Sequence, residues 1–347
     1  MIKHNQTNFD ESEVNAAIAI IKSGMIAQGE KVRQLEKSLS AAIERQYCAA
    51  LSSGTIALSL ALEALGIEPN DEVIIPSYTC TALYHAVRFN NATPVYADIE
   101  EETCNLAPDS VKDKLSPKTK AIIFPHMFGQ PGYIKEIKKL GIPVIEDIAQ
   151  SVGAKIDNRM TGYYGDIAVI SFYATKMLGA GEGGAILTDT KEYYDYITEH
   201  RAYDEMDQLT RRYNAKMTNI TAGIALAQLS KLSSFISKRE EIKNFYRDKL
   251  KFPVDIPNSG KEFYPNYYRY IITCNDAEKL IALGIKKGVQ FRKPVFKPIH
   301  LYEKNDYLPV TEKKWHEQVS IPIYPQLTKK EVNTIINVCN HYEDIHE

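Results

Sequence analysis

From about residue 48 to residue 190, short β-branched and apolar runs alternate with stretches of helical periodicity. Residues 47–51 read as a strand and TIALSLALEAL after them as a helix. Residues 73–75, 93–98, 121–125 and 143–147 read as further strands separated by helical sequence, and residues 166–172 and 183–189 as two more. Strands this continuously apolar are covered on both faces. The pattern predicts an α/β fold: a large three-layer domain with a mostly parallel sheet between helices. Residues 218–250 read as one long helical stretch, without Pro or Gly after Gly223. Beyond it come a strand (267–274), a helix, a Pro-rich connection (RKPVFKPIH) and a last helix starting near Thr328. Glu331, three residues after Thr328, completes a capping box. The expected division is a large domain over residues 1–235 and a smaller α+β domain over residues 236–347.

Composition narrows this picture without changing it. Of 347 residues, 44% are hydrophobic and 25% charged, which suits an ordered globular chain. A net charge of −2 predicts no general attraction to nucleic acid or acidic membranes, although a local site can still be positive. The five cysteines, Cys48, Cys80, Cys104, Cys274 and Cys339, are scattered singly and lack metal-ligand spacing. They read as reduced thiols. The opening segment MIKHNQTNFDESEV has no signal-peptide core, and no apolar run approaches the length of a membrane span. A soluble cytoplasmic protein without a bound metal is expected.

Three strand ends carry candidate chemistry. Ser52, Ser53, Gly54 and Thr55 stand between a strand and a helix, where free amides and the helix dipole can meet a phosphate. The same residues also serve as an ordinary N-cap. Asp147 ends an apolar strand, where ligands of open α/β sheets gather; it suits a protonated ring nitrogen, with Gln150 beside it. A salt bridge or a cap is the alternative for such an acid. Glu146 should point to the opposite face. Lys176 follows another apolar strand and precedes GAGEGG. A desolvated lysine is a nucleophile toward aldehydes, and the glycines let the backbone approach a bound group; a lysine exposed on a loop is the commoner case. Phosphate cradle, acid and lysine, in that order in one α/β unit, form the set that pyridoxal 5'-phosphate needs.

With these residues in view, the chain resembles the DegT/StrS sugar aminotransferases, fold-type-I pyridoxal-phosphate enzymes of the aspartate-aminotransferase-like build, over nearly its full length. The matching segments include SSGTIALSLAL, NDEVIIPSYTCTALYHAV, PHMFGQP, VIEDIAQSVGA, GDIAVISFYATKMLGAGEGGAILTD and YNAKMTNITAGIALAQL. The resemblance implies that Lys176 is the Schiff-base lysine and Asp147 the acid under the pyridine nitrogen. It implies further that Gln150 bonds the ring's phenolic oxygen and that Gly54, Thr55 and Ser171 contact the phosphate. Asn214 matches the asparagine that reaches the cofactor of the neighbouring subunit, which implies a homodimer with shared active sites. Three features depart from the pattern. Cys80 stands where many relatives stack an aromatic ring on the cofactor, with Tyr84 one helical turn on as the candidate substitute. Lys216 stands where Arg is frequent, and the chain is slightly short for the group.

The implied reaction is transamination of a keto group on a nucleotide-linked deoxysugar, with glutamate as donor, for surface polysaccharide or glycoconjugate synthesis. Relatives that dehydrate sugars carry His in place of the lysine, and Lys176 argues against that branch. A non-sugar ketone acceptor and a non-catalytic regulatory protein of the same fold are the alternatives. His126 and His300 are candidate substrate contacts or hydrogen-bonded structural histidines. Arg212 and Arg292 are the candidate clamps for the donor carboxylate.

Overall fold

The computed structural model describes residues 1–204, 207–252, 262–303 and 306–344. Its strands, in chain order, are β1 (Tyr47–Leu51), β2 (Glu72–Pro76), β3 (Thr93–Ala97), β4 (Thr119–Pro125), β5 (Val144–Asp147) and β6 (Lys155–Ile156). They continue with β7 (Arg159–Met160), β8 (Ile167–Ser171), β9 (Gly184–Thr188), β10 (Phe263–Tyr264), β11 (Tyr270–Thr273) and β12 (Gln318–Ile321). A seven-stranded sheet runs β1-β9-β8-β5-β4-β2-β3. The run from β8 to β3 is parallel throughout, whereas β9 is antiparallel to both of its neighbours. Each strand expected from the sequence of this unit is present, with ends shifted by no more than two residues.

Alternation along the strands decides which helices cover them. Ile145, Ile167 and Val169 share a face with Ala57, Leu58, Leu60 and Ala61 of the helix Gly54–Ala64. Ala168 and Ile170 face the other way, onto Leu35 and Leu39 of the helix Glu30–Ile43 and Ala222 and Ala225 of the helix Asn219–Ser230. Further along the same side, Ile122, Phe124 and Val144 meet Val111, Ile134 and Ile137. A slip of one residue would turn these side chains outward, and each is worth roughly 1.5–3 kcal/mol when buried. The register is therefore firmly set, and so are the faces on which Glu146 and Asp147 fall.

The C-terminal portion has a core of its own. Tyr270 and Ile272 of β11 and Val319 and Ile321 of β12 pack with Ile242 and Tyr246, Leu280, and Ile335, Ile336 and Cys339 from three helices. The capping box at Thr328 and Glu331 forms as expected, with both backbone N–H groups bonded to the opposite side chain. Two expectations need correction. The stretch 218–250 is two helices, Asn219–Ser230 and Leu232–Lys249, meeting at Lys231. The strand expected over 267–274 is β11, which starts at Tyr270; Tyr267, with φ +54°, leaves the extended region. Residues near the N-terminus also join this portion: Ile2 bridges Val289, with Ile2 N–H bonded to Gly288 O and Gln290 N–H to Ile2 O. No described helix is long and apolar enough to cross a membrane.

Candidate active site

The carboxyl ends of β5 and β8 and the start of the helix Gly54–Ala64 enclose a cavity of about 380 Å³. Gly54, Thr55, Cys80, Asp147, Ser171 and Lys176 all line it, as do Tyr268, Arg269 and Glu182. Asp147 is there because it lies two residues beyond Ile145, on the sheet face that packs against the helix. Ser171 follows Val169 by the same rule. The helix starts close to the sheet: a Cβ on Gly54 would stand 2.9 Å from Ser171 Cβ, so only glycine permits this approach without displacement. Ser53 caps the helix by accepting the Ile56 N–H. The amides of Gly54 and Thr55 then stand at the positive end of the helix, where first-turn N–H groups have no partner within it.

Asp147 is 8% exposed. Its carboxylate accepts the Ala149 N–H at 2.9 Å and has no ion pair among the described residues. Burial pushes it above the usual carboxylate range, while that N–H and the charges of Lys176 and His126 pull against the shift without cancelling it. Glu146, as its position in the strand requires, is on the other face. It accepts the N–H groups of Gly162, Tyr164 and Gly165 and bonds His126 Nε2 at 2.8 Å. Burial opposes ionisation of Glu146, but His126 and these amides outweigh it and hold the group low.

The turn that carries Lys176 is clasped from several sides. Lys176 N–H bonds Tyr173 O, and the glycine-rich return segment accepts the Ala174 N–H at Gly181 O and the Phe172 N–H at Gly183 O. Asn5 and Thr7 donate from their side chains to the carbonyls of Thr175 and Ala174, at 2.9 and 2.7 Å. The amine is half-buried and lies 5.5 Å from the centroid of the Tyr268 ring. Burial works against ionisation of the Tyr268 phenol. The charges of Lys176 and Arg269, a hydrogen bond with Thr175 and the charge of Arg239 outweigh it and pull the phenol down to about 8.

Other expected site residues lie elsewhere. Gln150 is half-buried beside the cavity; its Oε1 accepts the Phe128 N–H at 3.0 Å and its Nε2 has Met127 Sδ at 3.6 Å. Asn214 is exposed and does not line this chain's cavity. Three candidate substrate contacts do not line this chain's cavity. His126 is fully buried, with Nε2 on Glu146 and Nδ1 accepting the Gly132 N–H. His300 is fully buried between Ser77 and Glu312. Tyr84 is half-buried against the core that the helix Gly54–Ala64 shares and is not part of the cavity wall beside Cys80. Arg212 is paired with Glu199 at 2.5 Å, and neither it nor Arg292 lines the cavity. Sequence reading missed Tyr268 and Arg269, because NYYRY only prefaces a strand of the C-terminal portion and nothing local marks it as reaching the lysine.

A mostly parallel sheet between helices, with a lysine and a buried acid facing one cavity at the strand ends, is the build of a fold-type-I pyridoxal-phosphate enzyme. Residues 7–340 match the model of the DegT/DnrJ/EryC1/StrS aminotransferase family. The chain belongs to that family and is a pyridoxal-phosphate-dependent aminotransferase. It is 33% identical to the GDP-perosamine synthase of Escherichia coli O157:H7, over 91% of each chain. It is 30% identical to the UDP-2-acetamido-2-deoxy-3-oxo-D-glucuronate aminotransferase of Pseudomonas aeruginosa, over 95% of this chain and 96% of the relative. The aminotransferase TlmJ of Streptoalloteichus hindustanus superposes with a TM-score of 0.95 at 25% identity, over the whole of both chains.

Proposed function

We propose that this aminotransferase converts a keto group of a nucleotide-linked sugar to an amine, with glutamate as donor, for surface polysaccharide or glycoconjugate synthesis. The relatives named for GDP-linked and UDP-linked sugars support the acceptor class. The observation that carries the chemistry is that Lys176 and Asp147 face one cavity beside the N-terminus of the helix Gly54–Ala64.

The residues present fit the cofactor. A buried carboxylate with one N–H partner and no ion pair among the described residues is matched by a protonated ring nitrogen, which would supply the charge that burial otherwise makes costly. The close approach at Gly54 leaves the first-turn amides of its helix, with Thr55 and Ser171, open to a phosphate. Gln150 Nε2, which has only the weak acceptor Met127 Sδ among the described residues, would be the donor to the phenolic oxygen. When bound, pyridoxal phosphate supplies an aldehyde that takes up amino groups and a ring that accepts an electron pair.

The protein's own groups do the rest. Asp147 keeps a proton on the ring nitrogen. The Lys176 amine takes the proton from the donor's α-carbon and returns one at the acceptor carbon. Tyr268 and the turn 171–176 screen that amine from bulk water on one side. We also propose that the chain works as a cytoplasmic homodimer in which Asn214 serves the neighbouring subunit's cofactor, and that the small domain begins near residue 236. The exposed position of Asn214, away from its own chain's cavity, supports the first of these readings.

The test is spectroscopic, then enzymatic. Purified protein reconstituted with pyridoxal phosphate should show a visible absorption band that glutamate bleaches and Lys176→Ala abolishes. A panel of nucleotide-linked ketosugars against small ketones should then give turnover only with the sugars. Turnover confined to the small ketones would reject the acceptor assignment.

A further inference from the structure

Two cations line the cavity, Lys176 and Arg269. In the proposed reaction Lys176 is committed to proton transfer and to the cofactor's aldehyde, which leaves Arg269 as the fixed positive charge. Its backbone N–H bonds Phe128 O at 3.1 Å, anchoring the residue between β4's following loop and β11. The guanidinium lies 5.4 Å from the centroid of the Tyr268 ring, the ring that Lys176 approaches at 5.5 Å. Nη1 reaches His4 Nε2 at 3.2 Å and Ser320 Oγ at 3.5 Å. None of these neighbours is an acid.

That pattern sets Arg269 apart. Three other well-covered arginines are neutralised: Arg45 has Asp189, Arg201 has Glu36 and Arg212 has Glu199. Arg239 spends Nη1 on the carbonyls of Tyr267, Tyr268 and Ile323, keeps Nε buried without a partner among the described residues, and does not line the cavity. Arg269 has no carboxylate within ion-pair distance among the described residues. Its orientation comes instead from His4. Burial and the charges of Arg269 and Arg292 hold that imidazole well below its ordinary value, so it stays neutral. A neutral imidazole, itself bonded to Ser320 Oγ at 2.9 Å, steers the guanidinium without cancelling its charge. Of the acids on the wall, Asp147 is committed to the ring nitrogen and Glu182 is exposed, where solvent screens it.

We propose that Arg269 is the oxyanion anchor of the substrate cavity, with His4 as its positioning residue. The planar guanidinium takes either the donor's carboxylate or the diphosphate of the nucleotide sugar as a two-pronged partner. The inference rests on the cavity being the substrate site of the aminotransferase.

The experiment uses the cofactor-loaded protein and two probes that cannot react, glutarate and inorganic diphosphate, titrated calorimetrically. Neither carries an amine or a ketone, so the result does not depend on finding the right acceptor; absence of wild-type turnover would count against the proposed function alone. Arg269→Gln is expected to weaken one probe by about 100-fold, and Arg269→Lys by about 10-fold. Loss confined to glutarate identifies the donor carboxylate, with the KM for glutamate rising in parallel. Loss confined to diphosphate identifies the nucleotide sugar, with the acceptor's KM rising instead. His4→Phe should weaken the same probe several-fold with little change in kcat, and His4→Gln, which keeps an acceptor, should restore most of it. Should Arg269→Gln fold poorly, Arg269→Lys and the salt dependence of probe binding to wild type still decide the matter. Probe affinities unchanged in Arg269→Lys and insensitive to chloride would overturn the proposal.

Discussion

Asp147 illustrates how burial and chemistry oppose each other at a single residue. Its carboxyl is raised above the usual range in the cofactor-free fold. Between the ordinary value and the raised one, the native state therefore binds more protons than the unfolded chain, and stability falls as pH rises through that window. Asp147→Asn is expected to remove this decline and to melt higher than wild type at neutral pH without cofactor. The same change should lower kcat by about 100-fold or more and loosen the cofactor; thermal melts and cofactor titration check both halves. Tyr268 behaves in the opposite sense. Its phenol is drawn down to about 8, with Lys176 the strongest of the charges acting on it. In a near-ultraviolet titration of cofactor-free protein, one tyrosine should ionise early, and Lys176→Ala should move that step upward. An unmoved step would mean that the lysine and the phenol do not sense each other. Asp147 and Lys176 were legible in the sequence because each ends or follows an apolar strand. Tyr268, Arg269 and His4 were not, since long-range packing alone brings them to the same wall.

At the scale of elements, the helix Gly54–Ala64 is the part on which cofactor capture depends. Gly54→Ala places a methyl 2.9 Å from Ser171 Cβ, so the helix start must retreat from β8. Cofactor affinity should fall by roughly 10-fold or more while the circular dichroism stays that of wild type. Thr328→Ala is the contrasting case: losing the capping box should cost about 1 kcal/mol in denaturant melts and leave the glutamate-driven bleaching intact. The large sheet was legible because strands such as Ile167–Ser171 are buried on both faces and announce themselves as apolar runs. The reversed direction of β9 was not, because a buried strand reads the same both ways. The pairing of β6 with β7 and β10 was equally silent, since strands of two residues leave no period to detect. The break at Lys231 also has a distant partner: its amine pairs with Asp10 and Glu13 at the start of the first helix.

At the scale of the whole molecule, the helix Glu11–Ser23 exposes Val14, Ile18 and Ile21, which recur along one face. Together with the exposed Asn214, this fits the proposed homodimer. If the asparagine serves the neighbouring site, inactive Lys176→Ala and impaired Asn214→Ala proteins should regain activity when unfolded together and refolded as hybrids. Mixtures no more active than their components would place Asn214 outside the partner's site.

The clasp formed by Asn5 and Thr7 on the turn before Lys176, and the bridge from Ile2 to Val289, have a consequence for the order of assembly. Residues 2–7 leave the ribosome well before their partners, and Ile2 waits for Val289, 287 residues away. The segment that clasps the lysine turn is therefore tied down at its far end only once the C-terminal portion has docked. In refolding experiments, helical signal should return first, and the ability to capture cofactor should follow as a distinct, slower phase.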